Sequence, residues 1–107
     1  MEDKDLWPLS EADIISRLES LSGWKYESNK IVKMFEFASF TDAIQFINGL
    51  VGFCNFLDHH PDINISYKKV RFELTRFSVG GKVTARDFTV AQKIEDDFQK
   101  YVGRKVN

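Results

Sequence analysis

Cysteine is nearly absent from this chain, and the single Cys54 excludes an internal disulfide. Cys54 sits inside an apolar run and reads as a small buried hydrophobe, not a reactive thiol. Excess charge is missing as well: fifteen Lys and Arg against sixteen Asp and Glu leave a formal charge of −1. No global field draws such a protein to a phosphate backbone, which argues against direct nucleic-acid binding. No apolar stretch reaches the ~20 residues needed to span a bilayer, so no membrane role is expected. Met1-Glu2-Asp3-Lys4-Asp5 lacks the basic-then-apolar layout of a signal peptide, and the expectation is a cytoplasmic protein. Repeats, low-complexity segments and linkers are absent too. The chain reads as one domain over residues 1–107.

Aromatic residues are plentiful, and ten of the fifteen are Phe. That is more ring surface than a small two-layer core needs, so part of it is expected to pack against another subunit. Along the chain the pattern reads helix, hairpin, helix, hairpin, helix. Ser10 with Asp13 marks the first helix start, Ile14, Leu18 and Leu21 follow at helical spacing, and Ser22-Gly23 ends the run. Trp24 and Tyr26 alternate with polar neighbours as in a half-buried strand, a turn is expected at Asn29-Lys30, and Ile31 to Phe37 returns.

Ser39 with Asp42 opens the central helix. Ala43, Phe46, Ile47, Leu50, Cys54 and Leu57 mark one apolar face, and Phe40, Ile44, Val51, Phe53 and Phe56 spread well beyond it. One sheet cannot cover both sides, so a homo-oligomer through this helix is expected. Ile63, Ile65 and Tyr67 alternate cleanly with Asp62, Asn64 and Ser66, and Lys68-Lys69 connects to a strand with Val70, Phe72 and Leu74 inward. Arg71, Glu73, Thr75 and Phe77 then take the opposite face. After Gly80-Gly81, Thr84 and Asp87 open a last helix whose apolar side is Phe88, Ala91, Ile94, Phe98 and Tyr101. Neither hairpin has a crossover helix. The predicted fold is α+β in two layers: a four-stranded antiparallel sheet with three helices packed on one face.

Two histidines exist, and they are adjacent: His59-His60-Pro61, where the central helix must end because Pro61 disfavours helix at the residue before it. Two readings stand at this point. The pair could simply complement the negative end of the helix dipole. It could also hold two groups that titrate near neutral pH, suited to acid–base work. A metal site is not expected, since adjacent histidines rarely present both rings to one ion and no third histidine or cysteine pair completes a set. Asp58, Asp62 and Asp87 could offer only oxygen ligands. Asp87 fits the capping position opposite Thr84, so a structural role for it stays open beside a site role. Gly80-Gly81 lacks the pattern and the βαβ context of a phosphate loop.

The run Leu57-Asp58-His59-His60-Pro61, followed by Tyr67 and then Asp87, resembles the signature of the pterin-4a-carbinolamine dehydratases. The resemblance extends over nearly the whole domain through Gly23-Trp24, Phe35, Phe37, Phe40, Ala43, Phe46 and the hairpin from Tyr67 to Val70. It implies a hydro-lyase that removes water from a 4a-hydroxytetrahydropterin to give the quinonoid dihydropterin, with no metal or organic cofactor. It further implies a homodimer or homotetramer, and a pterin-recycling role beside aromatic amino acid hydroxylases. Carried over by position, His59, His60 and Asp87 are the catalytic set, while Asp58, Pro61, Thr75 and Phe77 bind substrate. The sequence departs from the family pattern in three places. Phe77 stands where the family has a third histidine (tryptophan in some members), Asn55 replaces an acidic residue, and the loop between Phe77 and Asp87 is one residue longer. These departures carry an alternative: a catalytically weakened relative acting as a binding, dimerisation or assembly factor.

Overall fold

The computed structural model describes residues 3–77 and 80–106. A 3-10 turn (Asp3–Leu6) leads to helix α1 (Glu11–Leu18), strands β1 (Lys25–Glu27) and β2 (Lys30–Glu36), and helix α2 (Phe40–Leu57). Strands β3 (Asp62–Ser66) and β4 (Lys69–Leu74) and helix α3 (Ala85–Val106) complete the chain. Both early helices begin at their predicted caps. Ser10 Oγ accepts from the Asp13 N–H at 3.1 Å, and Ser39 Oγ accepts from the Asp42 N–H at 3.0 Å. Helix α1 is shorter than its apolar spacing suggests. It ends at Leu18, and turns bonded three residues back carry the chain on to buried Leu21.

The strands form one antiparallel sheet in the order β1-β2-β4-β3. The two hairpin turns lie one residue earlier than the sequence suggests. Glu27 pairs with Lys30, so Ser28 and Asn29 make the first turn, both at positive φ as a two-residue hairpin of this hand requires. Ser66 pairs with Lys69, so Tyr67 leaves the strand row and enters the second turn at φ 57°. Alternation correctly marked the strand but could not see that the turn would take its last aromatic.

One face of the sheet carries Ile31, Phe35, Val70, Phe72 and Leu74, all buried, and the helices pack there. The architecture is therefore α+β, a four-stranded antiparallel sheet with three helices. Much of the aromatic surplus goes into this layer. Phe35, Phe37, Phe46, Phe72, Phe98, Tyr101 and Trp24 form one connected ring cluster at centroid separations of 4.8–6.3 Å. Truncating Phe72, a fully buried member of it, would cost about 3–5 kcal/mol. Cys54 is buried in the same core, and burial pushes its thiol up, as expected of an inert small hydrophobe.

Strand β3 departs from expectation. Its alternation is the cleanest in the chain, yet every residue of it is exposed in the single chain, and it forms a sheet edge paired only with β4. Among the described residues no helix is long and apolar enough to cross a membrane.

Candidate functional site

Helix α2 ends in a Schellman turn. Asp58 adopts the left-handed conformation (φ 51°, ψ 46°), its N–H donates to the Asn55 carbonyl at 3.2 Å, and the His59 N–H donates to the Cys54 carbonyl at 3.1 Å. Asp is one of the few side chains that tolerate this geometry. The reversal sends two consecutive imidazoles into different surroundings. His59 is buried, whereas His60 is exposed with its Nε2 hydrogen-bonded to Asn55 Oδ1 at 2.8 Å.

Beneath His59 lies Asp87, fully buried at the start of α3. Its Oδ2 accepts from the N–H of Thr84 at 2.8 Å and from the Thr84 hydroxyl at 3.1 Å. Its Oδ1 bonds Nε2 of His59. The capping and site readings of Asp87 are thus compatible, since each oxygen serves one of them. No buried side-chain nitrogen or oxygen among the described residues lacks a partner. The bond of the His59 ring is made through Nε2, so Nδ1 is the nitrogen left open toward solvent.

That opening is a cleft of about 410 Å³, lined by Leu6, Asp58, His59, His60, Pro61, Asp62, Thr75, Arg76, Phe77 and Arg86. All the predicted site residues except Asp87 therefore meet in one hollow. Asp87 stands behind His59 and touches the cleft through it. The Thr75 side chain is buried and already donates to the Asn29 carbonyl at 2.8 Å, which ties the cleft floor to the first hairpin. Phe77 is 65% exposed. Ser78 and Val79, within the loop read as one residue longer, lie outside the described residues.

Leu6, Asp62, Arg76 and Arg86 were not foreseen in the lining. For Arg86 a signal existed: a cation in the first turn of a helix opposes the macrodipole, so its purpose must be tertiary. Its guanidinium donates to both carboxylate oxygens of Asp5 at 2.8 Å and to the Leu57 carbonyl at 3.0 Å. The Arg86 guanidinium holds the Asp5 carboxyl below its ordinary range. A roomier hollow of about 500 Å³, lined by residues including Arg17, Phe53, Phe88 and Lys93, holds no histidine. Among the described residues no three His, Cys, Asp or Glu side chains gather as a metal site.

A buried carboxylate on one nitrogen of an imidazole, with the other facing a cleft, is an acid–base couple. Comparison with known proteins gives it a context. Residues 7–96 match the family model described as pterin 4 alpha carbinolamine dehydratase. The chain belongs to this family. A provisionally named pterin-4-alpha-carbinolamine dehydratase of Sulfolobus acidocaldarius is 41% identical over 86 residues, 80% of this chain and 93% of that one. One of the same name from Trichormus variabilis is 44% identical over 86 residues, 80% and 91% of the two chains. A crystal structure described as a transcriptional coactivator/pterin dehydratase from Brucella melitensis superposes with a TM-score of 0.80 at 28% identity. It covers 85% of this chain and 98% of its own.

Proposed function

We propose that the protein dehydrates a 4a-hydroxytetrahydropterin to the quinonoid dihydropterin. The reaction breaks the C4a–O bond, adds a proton to the departing hydroxyl to make water, and removes a proton from the neighbouring ring nitrogen. It needs one acid and one base on opposite sides of a polar heterocycle, and no electron changes hands. The observation that carries the reading is the His59–Asp87 couple at the back of a cleft whose front holds His60.

In this scheme Nδ1 of His59 delivers the proton to the hydroxyl. Asp87 holds the ring in one orientation and stabilises the imidazolium between turnovers. His60, oriented by Asn55, accepts the proton from the ring nitrogen and returns it to solvent. Asp58 and Pro61 form the adjoining wall, and the exposed ring of Phe77 offers a flat surface to the pterin. The pterin side chain would extend toward the open end of the cleft.

Phe77 cannot transfer a proton. Losing one acid–base group from such a site costs on the order of 10²–10⁴ in rate when the chemistry depends on it. That substitution is the observation favouring the second reading, a binding or assembly factor on the dehydratase fold. One assay separates the two: the rate at which freshly generated 4a-carbinolamine disappears with and without the protein. Acceleration above the spontaneous rate supports the enzyme. Unchanged decay, with pterin still bound, supports the binding role.

A further inference from the structure

The family match begins at residue 7, yet the turn just ahead of it is built into the cleft. Leu6 lines the hollow, and its carbonyl accepts from Nη1 of Arg76. Asp5 is gripped by both Nε and Nη2 of Arg86 at 2.8 Å, a bidentate pairing with fixed geometry. The chain immediately downstream is pinned as well: the Leu9 N–H donates to the Val83 carbonyl at 2.8 Å, and Pro8 bridges to Thr84.

Arg86 and Asp87 are consecutive, and they hold the same short segment in two ways. Arg86 binds the Leu57 carbonyl at the end of α2, while Asp87 binds the His59 imidazole two residues on. The Arg86 side chain is 8% exposed, so its charge has little water to screen it. The bidentate bond to Asp5 and the bond to the Leu57 carbonyl fix one guanidinium between the N-terminal turn and the end of α2, so removing the Asp5 carboxylate would loosen its grip on the helix end that carries His59.

We propose that the N-terminal 3-10 turn is a working wall of the pterin cleft. Asp5 is a positioning residue that acts on His59 through Arg86, and Leu6 is a substrate-contact residue. The roles of both rest on the dehydratase reading of the site. Their separate positions predict separate kinetic signatures. Asp5 bears on the chemical step, whereas Leu6 bears on binding.

The test uses the full-length chain carrying Asp5→Asn, Asp5→Glu or Leu6→Ala, with dehydration rates and quenching of 6-hydroxymethylpterin fluorescence measured on each. Asp5→Asn is expected to lower kcat about tenfold with KM within about twofold, since small displacements of a catalytic group cost at least that much. Asp5→Glu restores the ion pair and should recover most of the loss, which general destabilisation would not show. Leu6→Ala should weaken both KM and pterin binding about fivefold, the scale of one lost apolar contact. Wild-type kcat in Asp5→Asn, no recovery in Asp5→Glu, or unchanged pterin affinity in Leu6→Ala would overturn the inference. A wild-type protein that binds pterin through Leu6 but does not accelerate dehydration would defeat the proposed reaction and leave the wall in place.

Discussion

The two ring nitrogens of His59 meet different surroundings: Nε2 meets a buried carboxylate, and Nδ1 faces the cleft. Catalytic work is divided in this way wherever one side chain must both hold its orientation and exchange protons. The adjacent His60 has a neutral partner in Asn55, so the pair is asymmetric in charge as well as in burial. Phe77 is the third side chain to consider at this scale, since it lines the same cleft. Alternation with Arg71, Glu73 and Thr75 put it on the outward row, but β4 ends at Leu74 and Thr75 is buried, so that pattern stops short of Phe77 although its ring is exposed. Its presence in a cleft with both histidines depends on the chain turning after β4, which alternation cannot show. Phe77→His should keep or raise turnover by supplying the family's third imidazole. Phe77→Ala should weaken pterin binding by roughly 1–3 kcal/mol, the range for one aromatic stacking contact. Titration of pterin fluorescence measures the second effect directly, and an unchanged affinity would remove Phe77 from the site.

Among the elements, the end of α2 does most to build the site. The sequence marked the region where the helix stops, because Pro61 disfavours helix at His60, but gave no sign that Asp58 would take the left-handed position that ends it at Leu57. A glycine there would have announced a Schellman turn. The cap at α3 was similarly half-legible. Thr84 and Asp87 have the spacing of a capping pair, while the bond from Asp87 to a histidine 28 residues away is a tertiary fact. Edge status was also hidden, since β3 has the periodicity of a half-buried strand and is exposed throughout in the protomer. These failures share one cause: local pattern reports which face is apolar, not which neighbour arrives to cover it. Asp58→Gly separates the structural and chemical roles of its residue. Glycine removes the left-handed strain, so stability should hold or rise by up to about 1 kcal/mol. If the carboxylate contacts pterin, kcat/KM should nonetheless fall about tenfold, the scale of a lost charged hydrogen bond. Urea unfolding and steady-state kinetics on one preparation read both quantities.

For the whole molecule, acid sensitivity follows from two carboxylates. Arg86 depresses Asp5, and Arg71 with Lys30 depresses Glu73. Each binds its proton more weakly folded than unfolded, so its stabilising contribution is complete above the unfolded values of about 3.9 and 4.3. That contribution is lost as pH falls through the lower folded values. Urea midpoints should therefore hold steady near neutrality and decline below about pH 4, with a shallower decline in Asp5→Asn. A midpoint that rises with acidification would contradict the assignment. Surface composition makes a second prediction. Phe40, Val51 and Phe56 on α2 are exposed in the protomer, Phe56 at 79%, although Phe53 and Ile44 are partly covered. A homo-oligomer held partly by this helix is expected, and Phe56→Asp should shift it toward monomer with circular dichroism preserved. Light scattering that finds a well-behaved wild-type monomer at micromolar concentration would contradict it. The most direct test of the account as a whole compares wild type with His59→Ala in the carbinolamine dehydration assay, with circular dichroism recorded for both. The account predicts acceleration by the wild type and a loss on the order of 10²–10⁴ in the variant at an unchanged spectrum. Near-wild-type turnover in a folded His59→Ala protein would contradict it.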